Sequence, residues 1–265
     1  MDENSNQGKI EQVAEMLSEY SPCVALTGAG LSTRSGLPDF RSPGKGLWTR
    51  LEKMPESAST VMTLQGFKEH PEAFYSRFRF FLEKILSAKP NPAHIALAEL
   101  EARGHIQAII TMNGDMLHQK AGSQRVIEMH GTLATATCIS CYQSDDGLLH
   151  WQSYLESGEI PQCRHCGGIM KPDVILTGEQ LPVKMVMQAK KLLGESNMIL
   201  AIGTSFAGGP VMHWIENACG QEKKMAIINL TPTLLDTVAE VVIRADVVEI
   251  LPALAKELPF FRKTQ

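Results

Sequence analysis

Short segments rich in valine, isoleucine and leucine alternate with helical segments along most of the chain. "CVALTGAG" and "QAIITMN" are apolar runs of strand length, and each follows a segment with apolar residues at helical spacing. Strands that are buried on both faces read as continuous apolar runs, and connecting helices make such strands parallel. The alternation therefore predicts an α/β fold with a doubly wound parallel sheet.

The carboxyl-terminal part of the chain continues this alternation. Strand and helix are expected to follow one another in the segments "KPDVILTGE", "VKMVMQAKKLL", "MILAIGTS", "PVMHWIENAC", "KMAIINL", "TLLDTVAEV" and "ADVVEIL". A further helical segment before residue 90 carries an apolar stripe that we interpret as core packing: Phe67, Phe74, Phe78, Phe81 and Leu82. With 265 residues, the chain is long enough for one such domain and a small insertion.

Composition argues against several classes of function. The formal net charge of −4 gives no electrostatic reason to expect nucleic acid or an anionic membrane as a partner. The first ten residues are polar and acidic, whereas a signal peptide begins with a basic and then an apolar stretch. No apolar run approaches the roughly 18 residues that a membrane span needs. We therefore expect a cytoplasmic protein whose six cysteines are thiols or metal ligands rather than disulfides.

Four of the six cysteines form two Cys-x2-Cys pairs separated by 21 residues: Cys138, Cys141, Cys163 and Cys166. Two such pairs supply the four thiolates of a tetrahedral Zn²⁺ site. Four thiolates leave no coordination position open for water, so the predicted ion is structural and replaces the core that a short insertion lacks. A redox-active cysteine pair and a catalytic metal are the alternatives.

A glycine turn, Gly28 to Thr33, follows the first predicted strand. It resembles the start of the dinucleotide-binding G-x-G-x-x-G pattern, but Thr33 stands where the third glycine would be. Backbone N–H groups in such a turn can hold a pyrophosphate. The following Asp39, Phe40 and Arg41 can supply a ribose or phosphate partner and an aromatic wall. The alternative is a solvated turn with a buried phenylalanine.

Polar residues follow two more predicted strands. Thr111, Asn113, Asp115 and His118 follow "QAII" within a turn or so, and His130 follows "VIEM". Open α/β sheets bind ligands at the carboxyl ends of their strands. An imidazole titrates near neutrality and can act as a general base, although a lone histidine is more often structural.

Taken together, these motifs resemble the sirtuins, the NAD-dependent protein deacylases. "GAGLSTRSGLPDFR", "TMNGDMLHQKAG", "MHG", the two cysteine pairs, "GTS" and "INL" occur in the order and spacing of that family, over residues 8 to 255. The resemblance implies a Rossmann-like NAD-binding domain, a helical module with a cofactor-binding loop, and a zinc-ribbon module. We assign the NAD-binding domain to residues 8–41, 88–130 and 172–256. The helical module is assigned to residues 42–87 and the zinc-ribbon module to residues 131–171.

The resemblance also implies roles for individual residues. His130 would act as the general base, Asn113 would fix a ribose hydroxyl or a water, and Asp115 would hold the nicotinamide carboxamide. The implied contacts of the co-substrate NAD⁺ are Gly28, Ala29, Gly30, Ser32, Asp39, Phe40, Arg41, Met112, Asn113, Gly114, Asp115, His130, Gly203, Thr204, Ser205, Asn229, Leu230, Asp246 and Val247. The acyl-lysine protein or peptide would contact Ile175, Thr177, Gly178, Glu179, Gly208 and Gly209. The implied products are nicotinamide, 2′-O-acyl-ADP-ribose and free lysine.

The chain departs from the family at several of these positions. The family usually reads T-Q-N-I-D where Met112 and Gly114 occur here, and F-G-E where Thr177 occurs. Gly208 and Gly209 replace bulky residues in the segment that pairs with the substrate backbone. Two interpretations follow: neighbouring side chains refill the space in a deacetylase of low activity, or the pocket accepts a longer acyl group or a non-standard substrate.

Related activities are also compatible with these motifs, although acidic acyl groups fit them less well. Desuccinylating relatives use a Tyr-x-x-Arg pair, but here Phe78 follows Tyr75 at the arginine's place, and only Arg77 or Arg79 could substitute. Protein ADP-ribosylation is a second enzymatic possibility, and an NAD or ADP-ribose sensor with little turnover is a possibility of another class. The sequence does not define the oligomeric state, and a monomer is compatible with it.

Overall fold

The computed structural model describes residues 3–38, 60–206, 213–214 and 223–259. The helices are α1 (Glu3–Glu19), a 3-10 helix (Ala29–Ser35), α2 (Leu64–Glu69), α3 (Pro71–Ser87), α4 (Pro92–Ala102), α5 (Leu117–Lys120), α6 (Gly147–Ser157), α7 (Val183–Glu195) and α8 (Val247–Glu257). The strands are β1 (Cys23–Thr27), β2 (Ile106–Thr111), β3 (Val126–Glu128), β4 (Gly131–Cys138), β5 (Ser144–Asp146), β6 (Met170–Val174), β7 (Met198–Ile202), β8 (Lys224–Ile228) and β9 (Val241–Ile243).

Six strands form one parallel sheet in the order β3-β2-β1-β7-β8-β9. The chain builds outward from β1 to β3 on one side and then from β7 to β9 on the other, so the order reverses between β1 and β7. Every residue of β1 and β7 is buried, because helices cover both faces of the sheet. This arrangement confirms the predicted doubly wound sheet and places its topological switch point between β1 and β7.

Alternate residues of each central strand face two separate cores. On one face, Cys23 and Ala25 of β1 pack with helices α1, α4 and α8. On the other face, Val24 and Leu26 pack with α7. Because the side chains of a strand point alternately to its two faces, the apolar run "CVALT" supplies both cores at once.

The remaining three strands form an antiparallel sheet in the order β5-β4-β6. Gly131 at the start of β4 pairs with Val174 at the end of β6, so the module boundary predicted at residue 171 falls inside β6. A third core lies between this sheet and helices α3 and α6. Within it, Tyr75 donates a hydrogen bond to the carbonyl oxygen of Met170 and thereby links the helical segment to the small sheet.

The aromatic stripe of α2 and α3 is core as predicted except at Phe81, which is half-buried and contacts the exposed Phe80. Phe67 packs edge-on against Phe74 with ring centroids 4.9 Å apart, and Phe74 stacks on Phe78 at 5.2 Å. The side chains of Phe67, Phe74, Phe78 and Leu82 are all buried. Within the part of the chain that the structure describes, no helix is long and apolar enough to cross a bilayer.

Two details differ from the predicted alternation. "TLLDTVAEV" forms turns instead of a helix, because Thr233 and Asp236 bond to each other through both backbone and side chain. Such local side-chain bonds compete with helical hydrogen bonds. "ADVVEIL" begins helix α8 instead of a strand, since the Asp246 side chain accepts the N–H of Val248 and caps that helix.

Candidate active site

The glycine turn after β1 lies directly against the backbone that follows β7. The N–H of Gly30 donates to the carbonyl oxygen of Gly203 over 2.9 Å. A Cβ atom at Gly28 or Gly30 would lie 2.9 or 2.7 Å from that same oxygen. Gly203 has a φ of +58°, and a Cβ atom there would lie 2.4 Å from the backbone nitrogen of Leu31. A side chain at any of the three glycines would separate the turn from β7.

Three polar side chains are buried beneath this turn. Ser32 Oγ donates to Asp115 Oδ2 over 2.6 Å, and Asn113 Nδ2 donates to Gly28 O at 3.1 Å and to Ser32 Oγ at 3.2 Å. The carbonyl oxygen of Asn113 is buried without a hydrogen-bond partner among the described residues. Buried acceptors are normally satisfied, so this oxygen is a candidate contact for a bound molecule.

The carboxyl group of Asp115 is oriented from two sides. Besides the Ser32 hydroxyl, it accepts the N–H of Leu117 over 2.9 Å. Burial raises the pKa of Asp115, while these two hydrogen bonds act in the opposite direction. The intervening Met116 has a φ of +61°, a left-handed conformation that returns the chain at once into helix α5.

Two buried histidines support the end of β1. His118 Nε2 lies 2.9 Å from Thr27 Oγ1, and the rings of His94 and His118 meet edge to face with centroids 5.2 Å apart. His94 belongs to a capping box with Asn91, whose amide also donates to Leu31 O over 2.8 Å. Burial lowers the pKa of His94 to about 4 and that of His118 to about 3. Both rings are therefore neutral at physiological pH.

His130 lies at the end of β3, on the same edge of the sheet. Its ring is exposed, and Nδ1 lies 3.1 Å from the carbonyl oxygen of Met112. A carbonyl only accepts hydrogen bonds, so the proton of a neutral ring is on Nδ1 and the lone pair is on Nε2. Desolvation by the surrounding protein lowers the pKa of His130, although the bond to Met112 opposes that shift. The neutral form with a free Nε2 is thus favoured.

The segment after β6 passes beside His130. The N–H of Ile175 donates to the carbonyl oxygen of His130 over 2.9 Å. Two residues later, Thr177 forms a bridge to Thr63, and its carbonyl oxygen accepts the N–H of Leu64 over 3.0 Å. The side chain of Thr177 and the neighbouring Gly178 are exposed. Residues 175 to 179 therefore connect the end of β6, His130 and the helical segment.

The departures at Met112 and Gly114 leave little empty space. Met112 packs against the core between the sheet and α7, on the far side from the glycine turn. A Cβ atom at Gly114 would lie 2.8 Å from Gly131 O and 3.5 Å from Val174 Cγ1. The backbone of β4 and a valine of β6 occupy the space that a side chain at Gly114 would need.

The outer strands carry the remaining predicted contacts. Asn229 is buried after β8 and its amide nitrogen donates to Thr231, whereas Leu230 is 63% exposed. Asp246 caps α8 and accepts two bonds of 2.6 Å from the guanidinium of Arg34, and the next residue, Val247, is buried.

Other predicted contacts follow β1 and β7 directly. Ala29 begins the 3-10 helix, and Thr204 and Ser205 are half-buried after Gly203. Five predicted site residues lie outside the described ranges: Asp39, Phe40, Arg41, Gly208 and Gly209.

The four cysteines of the two pairs come together at one end of the antiparallel sheet. All four sulfur atoms lie within 4.8 Å of one another, and the closest pairs, Cys138 with Cys166 and Cys141 with Cys163, are 3.5 and 3.7 Å apart. Four thiolates at Zn–S distances of about 2.3 Å would have sulfur atoms about 3.8 Å apart, so the cluster fits a tetrahedral zinc ion. Backbone N–H groups of Ser140 and Gly168 donate to two of the sulfurs.

Several residues around the site were not identified from the sequence. Arg34, Asn91 and Lys171 were not singled out, and His94 was interpreted as structural only. The bond from Arg34 to Asp246 spans 212 positions and that from Asn91 to Leu31 spans 60, and no local pattern signals such pairs. The "NPAH" segment did carry one usable signal, because asparagine before proline predicts a helix cap.

The fold and the site define a Rossmann-like α/β protein with an inserted four-cysteine module. A Sir2 family profile matches residues 28–210. An NAD-dependent protein deacetylase of Saccharolobus solfataricus is 40% identical over 248 residues, covering 94% of this chain and 96% of that protein. NAD-dependent protein deacylase 2 of Archaeoglobus fulgidus is 38% identical over 260 residues, covering 97% and 98%. A solved structure of Sir2 with a p53 peptide and NAD⁺ matches with a TM-score of 0.80 and 33% identity, covering 94% of this chain and 98% of that one. The chain belongs to the Sir2 family, the sirtuins.

Zinc binding should depend on all four clustered cysteines. We expect the purified protein to contain one zinc ion, and Cys166→Ser to lose most of it, because a hydroxyl replaces a thiolate ligand. Cys23→Ala is the control and should retain the ion, since Cys23 is buried in the main core. Native mass spectrometry measures both. A zinc-free wild type, or a fully loaded Cys166→Ser, would contradict the assignment.

Because the glycine turn lies directly against the backbone after β7, any side chain at Gly30 is predicted to destabilise the folded protein. Gly30→Ala should lower the free energy of unfolding by about 1–3 kcal/mol, as overpacking against rigid backbone does. The matched control is Gly194→Ala in α7, where, among the described residues, only α7's own backbone and the adjacent residues come within 4 Å of the new methyl group. That change should be neutral or slightly stabilising. Urea unfolding compares them, and equal midpoints for the two variants would contradict the prediction.

The buried histidine pair predicts a specific response to acid. Burial lowers the folded-state pKa of His94 and His118 below the ordinary 6.5, so between pH 6.5 and about 4 the unfolded chain binds more protons. Their contribution to stability is complete above pH 6.5 and is lost as the pH falls. Burial raises the pKa of Glu128 to about 7, so this carboxyl group instead stabilises the folded protein as the pH falls.

The direct measurement is ¹⁵N NMR of the imidazoles. At pH 5 the rings of His94 and His118 should still be neutral. A charged ring at either position at that pH would show that the pair is hydrated in solution.

Proposed function

We propose that this chain is an NAD-dependent protein-lysine deacylase. It removes an acyl group from a lysine side chain, consumes NAD⁺, and releases nicotinamide, free lysine and 2′-O-acyl-ADP-ribose. Relatives that match almost its whole length are named NAD-dependent protein deacetylase or deacylase, and a solved relative holds a peptide together with NAD⁺. When bound, NAD⁺ supplies a ribose carbon that becomes electrophilic as nicotinamide departs.

The observation that carries this proposal is the buried polar group at the switch point. Asn113 presents a buried acceptor without a partner among the described residues, and Asp115 is held beside it by Ser32. An asparagine can fix a ribose hydroxyl or a water, and a carboxyl group can accept the carboxamide N–H of nicotinamide. The glycine turn above them offers the close backbone approach that a diphosphate needs.

His130 is suited to the role of general base. Its Nδ1–H is held by Met112 O, which leaves the Nε2 lone pair on an exposed ring. Because desolvation lowers the pKa of His130, the ring stays neutral and able to accept a proton from a ribose hydroxyl at and below neutral pH. In this proposal, Asn113 and Asp115 orient the co-substrate while His130 accepts the proton.

The peptide substrate is assigned to the segment from Ile175 to Glu179, together with Gly208 and Gly209. The exposed backbone around Thr177 and Gly178 can pair with an extended peptide by strand addition. The N–H of Ile175 is bonded to His130 O, so a peptide on this segment would lie next to the general base. The cytoplasmic location, the lack of nucleic-acid and membrane partners and a monomeric state stay predictions of the sequence.

Between the two interpretations of the departures from the family, we propose that the site takes a short acyl group. Gly131 O and Val174 fill the space beside Gly114, which opposes the idea of a pocket enlarged there. The Tyr75 hydroxyl is engaged by Met170, and Phe78 is buried in the third core. Arg79 donates to Leu155 O and to Glu83, so its guanidinium is not available for an acidic acyl group, whereas Arg77 has a buried Nη1 atom without a hydrogen-bond partner among the described residues and stays the one candidate for that role.

Replacing His130 should abolish deacylation. We expect His130→Ala to lower kcat for an acetyl-lysine peptide by about 10²–10⁴-fold, the usual contribution of a general base. NAD⁺ binding should persist, since the ring makes one hydrogen bond to backbone and is exposed. His70→Ala is the control, because that exposed side chain does not cap its helix. Mass spectrometry of the nucleotide product follows the reaction, and unchanged turnover would refute the role.

A panel of peptides with acyl groups of increasing length tests the substrate class. We expect kcat/KM to be highest for acetyl or propionyl and to fall for longer or acidic groups, because Gly131 and Val174 close the space beside Gly114. A preference for long acyl chains would show that the pocket is enlarged elsewhere. ADP-ribose transferred to the protein, or no release of nicotinamide, would instead indicate a transferase or a sensor.

A further inference from the structure

Lys171 is a buried lysine whose three donor positions are all used. Its Nζ atom donates to the carbonyl oxygens of Pro172 and Val174, each at 3.0 Å, and lies 2.9 Å from Glu179 Oε2. The side chains of Lys171 and Glu179 are 11% and 19% exposed. An ammonium group has three donors, so this one is fully satisfied within the protein. Removing one partner of such a buried, fully bonded ion pair destabilises the protein strongly, because the other charge stays buried without a partner.

The ion pair encloses the short segment proposed to bind the acyl-lysine peptide. Lys171 holds the chain at Val174, where the segment begins, and Glu179 holds it where the segment ends. The same carboxylate accepts the N–H of Leu176 over 2.7 Å, and the N–H of Glu179 donates to Leu176 O over 3.0 Å. Residues 174 to 179 are therefore closed into a loop by one lysine and one glutamate.

The loop has two further attachments, and each joins it to a different part of the protein. Ile175 N–H bonds to His130 O, and Thr177 O accepts the N–H of Leu64. Without the ion pair, the loop would keep these backbone bonds, but Glu179 would no longer be tied to Lys171 in β6, and the exposed residues Thr177 and Gly178 could change their direction. Leu176 is buried in the third core and anchors the inner side of the loop, whereas Thr177 and Gly178 are exposed and have no burial of their own that would restore their direction.

We propose that the Lys171–Glu179 ion pair is a positioning device for the substrate: it fixes the loop from Val174 to Glu179 so that its backbone presents an acyl-lysine peptide beside His130. This inference rests on the proposed function, because it assumes that the loop binds the peptide. Neither residue touches the reacting atoms. Their effect is on peptide affinity and leaves the NAD⁺ contacts of the glycine turn unchanged.

The test measures peptide binding apart from turnover. Fluorescence anisotropy with a labelled acetyl-lysine peptide, without NAD⁺, gives the Kd, and steady-state kinetics gives KM for the peptide and for NAD⁺ separately. Lys171→Met should raise the peptide Kd and KM about tenfold or more, while KM for NAD⁺ and the zinc content stay within about twofold. Lys171→Arg keeps the charge but replaces the compact ammonium by a larger planar guanidinium, so it should restore only part of the affinity.

Lys191→Met is the matched control, because Lys191 pairs with Glu195 on the exposed face of α7. Exposed pairs contribute little, so peptide affinity should not change. If Lys171→Met does not fold, Glu179→Gln keeps the side-chain size and a hydrogen-bond acceptor for Leu176, and it should still weaken peptide binding several-fold.

The outcomes separate this inference from the proposed function. An active wild type with unchanged peptide Kd and KM in both variants, even at a lowered melting temperature, overturns the positioning role and leaves the deacylase function intact. A wild type that binds peptide without deacylating it, and loses affinity in Lys171→Met, overturns the function and supports the positioning role. A wild type that neither binds nor deacylates peptides overturns both.

Discussion

The close backbone contact between the glycine turn and Gly203 determines the geometry of the whole carboxyl edge of the sheet. It joins β1 to β7, the two neighbouring strands from which the sheet is wound in opposite directions. With no side chains in between, the 3-10 helix after the turn lies over the strand ends and brings Ser32 within hydrogen-bond distance of Asn113 and Asp115. A larger residue at Gly30 would move that helix, and the polar groups beneath it would lose their partners.

The polar groups buried at this edge differ in how fully they are satisfied. Asn91 uses its amide to cap α4 and to hold Leu31, so its contribution is structural. Asn113, by contrast, donates to the turn but leaves its buried oxygen without a partner among the described residues. An unsatisfied buried acceptor costs about 1–3 kcal/mol. Proteins tolerate such local violations at functional sites, and the place of this oxygen beneath the glycine turn, beside Asp115, distinguishes it from other buried unpaired atoms such as Gln107 Oε1.

The sequence was informative where information is local. Apolar runs and cysteine spacing predicted the parallel sheet and the four-cysteine cluster, because strand burial and zinc ligation each depend on residues within a short window. The helix predicted for "TLLDTVAEV" was wrong, since the Thr233–Asp236 bonds outcompete a helical pattern. The Lys171–Glu179 pair and the filled space beside Gly114 depend on how β4 and β6 approach other segments, which no spacing along the chain reveals.

The same pair of strands connects the cysteine cluster to the proposed catalytic base. Cys138 pairs with Met170 at one end of the β4–β6 ladder, and Gly131 pairs with Val174 at the other, next to His130 and Ile175. A slip of one residue in such a ladder would turn every side chain to the opposite face. The register shifts between Ala136 and Gly131, so a metal ion that closes the cluster fixes the pairing from Cys138 to Ala136, whereas the Gly131–Val174 pair holds the far end separately. The orientation of the loop beside His130 therefore depends on the Gly131–Val174 pair and on the Ile175–His130 bond, and the cluster orders the other end of the same two strands.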